Sequence, residues 1–264
     1  VVVPIFDWLD SYGLNYGFII LLMSLIIKLA LSPLTFSSYK SMAKMRVLKP
    51  EIDEINEKHK DGDAAQKQQA LMALYNKAGV NPLGGCIPQL LQFPILIAMF
   101  RFFPASIELR QESFLWADDL SSYDSIFTLP FTIPFYGDHV SMFTILMAIS
   151  TFLYTKMNNS MTPNTGNDMM RQQMMIIQYV MPFMLLFFFN SYSAGLSYYY
   201  FVANMITFGQ QYSMRFFINE SAIRAKIEDN KAKGGKKGGF QAKLQNMMEE
   251  QQNGGNRRIR RNNK

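Results

Sequence analysis

The stretch "GFIILLMSLIIKLALSPLTFS" (residues 17–37) decides the fold class, because it is long and apolar enough to cross a bilayer. A helix needs about 20 such residues to cross about 30 Å of hydrocarbon. One charge, Lys28, interrupts it about eleven residues in, roughly 16 Å deep. A charge at that depth costs about 2.5–3.5 kcal/mol on insertion scales. Lys28 therefore predicts a partner or a wet cavity.

Apolar and charged residues occupy separate blocks of this 264-residue chain. Four further apolar runs follow the first, at residues 83–107, 140–155, 173–190 and 196–214. These runs predict an all-α membrane protein with five transmembrane helices. The run at 140–155 would rise only about 24 Å, so we expect it to thin the bilayer locally or to have snorkelling flanks. The single cysteine excludes an intrachain disulfide.

Charges between the runs predict the orientation. Segment 38–82 contains eight Lys and Arg, segment 108–139 contains one Arg against six Asp and Glu, and segment 215–264 contains thirteen basic and five acidic residues. Basic segments stay in the cytoplasm. We therefore expect residues 1–16, 108–139 and 191–195 outside, and residues 38–82, 156–172 and 215–264 inside.

The segments outside the runs have their own patterns. Segment 38–82 carries two apolar stripes at helical spacing around a "KDGD" turn (60–63), which predicts a cytoplasmic helical hairpin, bent at Pro50 and capped by Gly79. Residues 1–16 predict a short amphipathic segment with Ile5, Trp8, Leu9 and Tyr12 on one face, lying on the outer surface. The Gly-rich, basic tail 215–264 predicts disorder, in contact with anionic lipid or with a ribosome. The start "VVVPIFDW", without Met, leads us to expect residues upstream.

Lys28 has no carboxylate to pair with in the other four runs. Polar residues at helical spacing could line a hydrophilic cavity with it: Ser24, Gln89, Gln92, Tyr200, Asn204, Thr207 and Gln211. The alternative for each of them is a hydrogen bond between helices. The unpaired lysine favours the cavity.

Four stretches resemble the YidC membrane protein insertases, a family that includes the mitochondrial oxidase-assembly and chloroplast Albino proteins. They are "YKSMAKMRVLKPEIDEI" (39–55), "ALYNKAGVNPLGGCIPQLLQFPILIAMF" (73–100), "SIELRQESFLWADDLS" (106–121) and "SAGLSYYYFVANMITFGQQ" (193–211). The resemblance implies five core spans, a cytoplasmic hairpin, and a hydrophilic groove open to cytoplasm and lipid. It also implies a multi-pass protein of the bacterial inner membrane, with its N-terminus outside and its C-terminus in the cytoplasm.

The resemblance also implies a substrate-binding groove. The family's groove arginine falls at Lys28, its hydroxyl at Ser24 and its glutamine at Gln92, and the polar face of its last span falls at Tyr199, Tyr200, Asn204 and Thr207. Lysine keeps the charge but loses the planar fork that binds a carboxylate bidentately. The lysine at this position therefore favours general electrostatic attraction of a substrate over a bidentate grip on one of its carboxylates.

Insertion of nascent membrane polypeptides is the function that the resemblance implies, with the Sec translocon, the ribosome, the signal-recognition-particle receptor and membrane lipids as partners. No enzyme activity, cofactor, metal or DNA binding is expected. The alternative is an anion or solute transporter with Lys28 as counterion. Secondary transporters usually show internal repeats with broken spans in paired positions, and no internal repeat is found in the sequence. A hydrolase is disfavoured because His59 and His139 lie outside the apolar runs.

Overall fold

The computed structural model describes residues 2–59, 64–81, 84, 87–161, 172 and 175–233. The side chains of 64–65, 87–89, 91, 159–161 and 177 lie outside this description. The described helices are α1 (Val2–Asp10), α2 (Tyr16–Ala30), α3 (Ser32–Val47), α4 (Lys49–Lys58), α5 (Ala64–Ala78), α6 (Ile87–Ala105), α7 (Met142–Met161), α8 (Met181–Phe189), α9 (Ala194–Phe217) and α10 (Glu220–Ala232). A π-helical turn, Ile176–Val180, leads into α8, and two strands, β1 (Phe127–Ile133) and β2 (Gly137–Val140), precede α7.

The first apolar run is not one helix to residue 37, as the sequence predicted, because a break separates α2 from α3. Pro33 lies in the first turn of α3 and has no N–H to donate to the carbonyl of Leu29. The two helices meet at 59°. Two side-chain donors satisfy the Lys28 carbonyl at the break: the Ser32 hydroxyl at 3.1 Å and Gln210 Nε2 at 3.0 Å.

The surfaces of the helices are strongly apolar. Judged by length and composition, none of the helices in the described part of the chain is by itself a candidate to cross a bilayer, whereas α2 and α3 taken together are. Large apolar side chains nevertheless lie exposed on most of these helices, among them Leu29, Phe93, Ile149, Phe183 and Phe188. The free energy of exposing such a surface to lipid is far lower than that of exposing it to water.

A single hydrophobic core joins α1, α2, α6, α7 and α9. Its fully buried members include Phe6, Ile20, Phe103, Phe143 and Tyr199, one from each of these helices. The buried face of α1 consists of Phe6 and Leu9, while Trp8 and Tyr12 are exposed. Phe6, which the sequence interpretation did not single out, packs against the rings of Tyr16 and Phe102. Trp8 and Tyr12 are in edge-on ring contact with each other, and the predicted outer-surface face stays a prediction.

The acidic segment 108–139 contains a feature that the sequence interpretation missed, a two-stranded antiparallel sheet of β1 and β2. The buried side chain of Asn190 fixes this sheet to the end of α8. Asn190 Nδ2 donates to the carbonyls of Tyr136 and His139 at 2.9 and 2.8 Å, and its Oδ1 accepts from the N–H of Ser141 at 3.0 Å. The ring of His139 is bonded in turn to the carbonyl of Asn190 at 2.9 Å.

Asp124 joins the same segment to the start of α7. Its buried carboxylate accepts four hydrogen bonds, from Trp116 Nε1, Ser141 Oγ and the backbone N–H groups of Met142 and Phe143. Two of these donors are first-turn N–H groups that have no partner within the helix. Asp124 is thus an N-terminal cap supplied from a distant loop.

Helices α3, α4 and α5 form a second core, separate from the first. Leu48, Ile52, Leu71 and Tyr75 are buried in it. The first arm of the predicted hairpin consists of α3 and α4, which are separated by a break at Leu48, and Pro50 lies in the first turn of α4. Gly79 has φ of +64° directly after α5, and the N–H of Val80 donates to the carbonyl of Tyr75 at 2.9 Å, as in a glycine C-cap. The "KDGD" turn lies outside the described residues.

The predicted disorder of the whole tail from residue 215 is wrong for residues 215–233. Helix α9 continues to Phe217, and α10 buries Ile223 and Ile227 in the second core. Asn219 caps α10, and two ion pairs, Arg46–Glu220 at 3.1 Å and Lys231–Glu51, join it to the first arm. Gly-rich composition begins only after this helix, and residues 234–264 lie outside the described residues.

Helix α7 is longer than the apolar run that predicted it. It continues from Met142 to Met161, 20 residues, which rise about 30 Å. The apolar part of this helix still ends before Lys156, so the expected short third span stays a prediction. Polar residues such as Lys156 and Asn158 end the apolar run but are compatible with continued helix.

We predict that Asp124→Ala lowers stability by about 3 kcal/mol, because it removes a helix cap and leaves buried donors without acceptors. In detergent, the apparent Tm should fall by about 5–10 °C. Asp118→Ala, which changes an exposed carboxylate in the same segment, is the matched control and should stay within about 1 °C. Equal effects of the two substitutions would contradict the capping role.

We predict that Ile223→Asp detaches α10, because the second core would then contain a carboxylate without a partner. Trypsin should cleave after Arg224 and Lys226 at least about tenfold faster than in the unchanged chain, as expected when local opening becomes easier by about 1.4 kcal/mol or more. Ala225→Asp, on the exposed side of the same helix, should leave cleavage almost unchanged. Unaltered cleavage of the Ile223→Asp protein would show that α10 does not depend on this core.

Candidate functional site

The structure brings together three of the predicted groove residues from three different helices. Lys28, near the end of α2, is half-buried, and its Nζ lies 3.5 Å from Oε1 of Gln92 on α6. The Gln92 side chain also lies close enough to the hydroxyl of Tyr199 on α9 to interact with it. The helices α2, α6 and α9 thus place one cation beside an amide and a phenol.

Lys28 has no carboxylate partner within the described residues, because none of the ion pairs found there includes it. Among the described side chains, its polar contact is with Gln92, which is neutral, and the 3.5 Å distance lies at the outer limit of hydrogen-bond length. A cation with such weak compensation attracts carboxylates and polar groups that reach it.

Two other predicted residues flank this group in different ways. Ser24 is fully buried one turn before Lys28, and its hydroxyl donates to the carbonyl of Ile20 at 2.7 Å. Tyr200 packs near the rings of Phe189 and Tyr199, and its buried hydroxyl has no hydrogen-bond partner among the described residues. The Tyr200 hydroxyl is therefore a polar group whose hydrogen-bonding capacity is unused, next to the Lys28 group.

The rest of the predicted polar stripe on α9 does not face Lys28. Asn204 Nδ2 donates to Ser150 Oγ and Thr151 Oγ1 on α7, at 2.9 and 3.0 Å. Further along, Gln211 Nε2 donates to Asn158 Oδ1 on α7 at 3.2 Å. These contacts are the interhelical hydrogen bonds that were the alternative to a cavity. The sequence feature that could have indicated these hydrogen bonds is the presence of polar residues on α7, namely Ser150, Thr151 and Asn158.

The side chain of Thr207 forms its hydrogen bond within its own helix and not with the group around Lys28. The Thr207 hydroxyl donates to the carbonyl of Ala203 in its own helix at 2.7 Å and is buried. The side chain of Gln89 lies outside the described residues.

Sequence reasoning missed Gln210, which contacts the backbone at Lys28. Its Nε2 donates to the Lys28 carbonyl at 3.0 Å and to Ser32 Oγ at 2.8 Å, whereas the neighbouring Gln211 bonds to α7. The sequence feature that could have indicated this contact is Pro33, because a proline in a helix leaves carbonyl groups about one turn before it without a backbone donor. Gln210 therefore joins α9 to the break that ends α2.

The two histidines have structural partners. His59 lies 3.1 Å from the carbonyl of Ile55, and His139 is buried against Asn190 and stacks on Tyr123. In the part of the chain that the structure describes, no group of three or more His, Cys, Asp or Glu side chains could hold a metal ion. The Lys28 group can therefore bind a ligand through its positive charge and its polar side chains.

A basic cluster lies where α3 and α10 meet. Burial, together with the neighbouring charges of Lys226 and Lys40, lowers the pKa of the Lys44 ammonium. Like charges are therefore held close together on this side of the molecule, which makes it receptive to anionic groups.

Comparison with known proteins agrees with the resemblance noted in the sequence. The model of the family described as "60Kd inner membrane protein" matches residues 8–221. A relative from Parabacteroides distasonis is 50% identical over 95% of this chain and 40% of its own length. Others from Amoebophilus asiaticus and Bacteroides fragilis are 48% and 45% identical, over 94% and 100% of this chain and 41% and 43% of their own lengths.

Each of these three relatives carries the name "Membrane protein insertase YidC". The chain spans about two fifths of their length. The family match covers most of the chain, including all residues of the Lys28 group. The resemblance to the YidC family is thereby confirmed, and the chain belongs to the 60Kd inner membrane protein family, as an inner-membrane protein of bacteria.

Proposed function

We propose that the protein containing this chain inserts nascent membrane proteins into the inner membrane, and that the group of Lys28, Gln92 and Tyr199 binds their polar segments. The observation that carries the proposal is a cation without a carboxylate partner in the described part of the chain, held between three helices. The name of the relatives supports the same function, which requires no chemical reaction.

The proposed topology has five spans with the N-terminus outside. The spans contain α2, α6, α7, α8 and α9, and the segment with β1 and β2 lies outside, in agreement with its acidic charge. The unit of α3, α4, α5 and α10 lies in the cytoplasm, in agreement with its basic charge. The exposed apolar side chains on the helices support this arrangement.

The proposed mechanism begins with attraction of an acidic or polar outer segment toward Lys28. A site with hydrogen-bonding side chains replaces part of the water that such a segment loses, which lowers its desolvation cost. The apolar helix of the substrate then moves sideways into lipid, driven by its own burial. The apolar part of α7 ends before Lys156, and a short third span there would shorten the remaining hydrophobic path.

The remaining groove residues have different proposed roles. Ser24 and Tyr200 adjoin the Lys28 group and belong to the proposed binding surface. Asn204, Gln211 and Thr207 would act by holding α9 in place, because their hydrogen bonds go to α7 or to α9 itself.

We further propose that nascent chains reach the site from the cytoplasmic unit. The Sec translocon, the ribosome and the signal-recognition-particle receptor are the partners to test there, along with anionic lipid at the basic surface near Lys44. The transporter alternative has no support from the relatives, whose name specifies insertion of proteins.

We predict that a photo-crosslinking amino acid at position 92 or 200 forms adducts with nascent membrane proteins during synthesis. The matched control is position 204 on α9, whose side chain faces α7. Its substrate adducts should be at least about fivefold fewer, a difference of about 1 kcal/mol in occupancy. Adducts at 204 equal to those at 92 and 200, or no adducts at 92 and 200 in a folded protein, would contradict the proposed site.

We predict that Lys28→Glu reduces insertion of substrates with acidic outer segments at least about tenfold, while Lys28→Arg retains insertion. Two like charges about 6 Å apart repel by about 3 kcal/mol at an effective dielectric constant of about 20. Insertion is measured by protease protection of the outer segment in reconstituted vesicles. Substrates with uncharged outer segments serve as the control and should insert almost normally. If Lys28→Glu inserts both classes as the unchanged protein does, the charge has no role.

A further inference from the structure

The segment "SIFTLPFTIPFYG" (125–137) has no charged residue, although the segment 108–139 around it is acidic. It contains β1 and the turn into β2. Phe127 and Phe131 on β1 are 60% and 61% exposed, and Phe135 at the turn is 95% exposed. Phe135 has φ of +66°, a conformation that bulky residues rarely adopt. The backbone thus holds an aromatic ring away from the rest of the molecule at a local cost.

Contacts fix this β-hairpin both at its turn and nearer its base, while the side chains of Phe131 and Phe135 stay exposed. Tyr136 is buried, and its carbonyl accepts from Asn190 Nδ2 at 2.9 Å. On β2, His139 is buried and paired with Thr128 of β1. The exposure of Phe131 and Phe135 is therefore a property of an anchored element, and the anchor determines where the tip lies.

That position is continuous with the apolar surface of α8. The ring of Tyr136 packs edge-on against Phe187, with ring centroids 5.4 Å apart. Phe187 belongs to the exposed face of α8, which also presents Phe183, Met184 and Phe188. The hairpin tip thus extends the surface that, in an inner-membrane protein, lipid covers.

We propose that the β1–β2 hairpin is an interfacial anchor, which places Phe131 and Phe135 in the headgroup region of the leaflet that adjoins the outer end of α8. Aromatic residues favour this region. The segment offers no charge with which to recognise a protein surface, whereas its continuity with α8 points to the bilayer. The depth is limited to the interface, because the free edge of a two-stranded sheet needs water or headgroups for its unpaired backbone groups.

The anchor is tested in the full chain with one fluorescent label at a time. The single cysteine is replaced, Cys86→Ser, and an environment-sensitive dye is attached at Phe135→Cys. Asp138→Cys, on the same hairpin but at a position whose native side chain is charged and 60% exposed, is the matched control. Both proteins are reconstituted into phosphatidylcholine and phosphatidylglycerol vesicles. Quenching by nitroxide lipids and by aqueous iodide is then compared.

Nitroxide lipids should quench the label at position 135 at least about threefold more than the label at 138, and iodide should show the reverse order. An apparent Tm equal to that of the unlabelled protein establishes that each variant is folded. Iodide quenching at 135 equal to that at 138 would overturn the proposal. Shielding of position 135 from both quenchers would also overturn it, because a second copy of the chain would then cover the tip. The result is independent of whether the protein inserts substrates.

Discussion

A missing backbone donor at Pro33 is the constraint on which the arrangement of this molecule depends. Without that N–H, α2 ends at Ala30, and the chain turns by 59° into α3. The turn separates two hydrophobic cores, one among the helices α1, α2, α6, α7 and α9, the other among α3, α4, α5 and α10. At this turn the Lys28 carbonyl accepts hydrogen bonds from the side chains of Ser32 and Gln210.

Lys28 is unusual because its neighbours are polar but neutral. Gln92 and Tyr199 supply hydrogen-bonding groups without a negative charge, so the lysine charge stays uncompensated within the described residues. The polar residues of α9 divide into two sets with different partners. Tyr199 and Gln210 face the side of α2 and α6, while Asn204 and Gln211 bond to α7. One helix therefore both carries part of the charged site and connects it to the rest of the bundle.

Much of the helical architecture could be predicted from hydropathy, and so could the proximity of Lys28 and Gln92. The contact of Asn204 with α7 could not be predicted, because helical spacing shows which residues share a face of a helix but not which neighbouring helix that face contacts. Helix α10 was missed because the composition of the whole tail obscured two buried isoleucines, Ile223 and Ile227. The β-hairpin was missed because alternation is weak when both faces of a strand are exposed.

Buried hydrogen bonds are distributed unevenly along the helices. At the end near the acidic segment, Asp124 and Asn190 join the loop to α7 and α8 through several short bonds. Around Lys28, the one side-chain hydrogen bond between α2 and α6 among the described residues is a long contact of 3.5 Å. Local opening costs more free energy where more buried bonds must break. The end of the bundle near the acidic segment is therefore the more rigid one, and separation of the helices beside Lys28 costs less, as the proposed binding of substrate chains of different size would require.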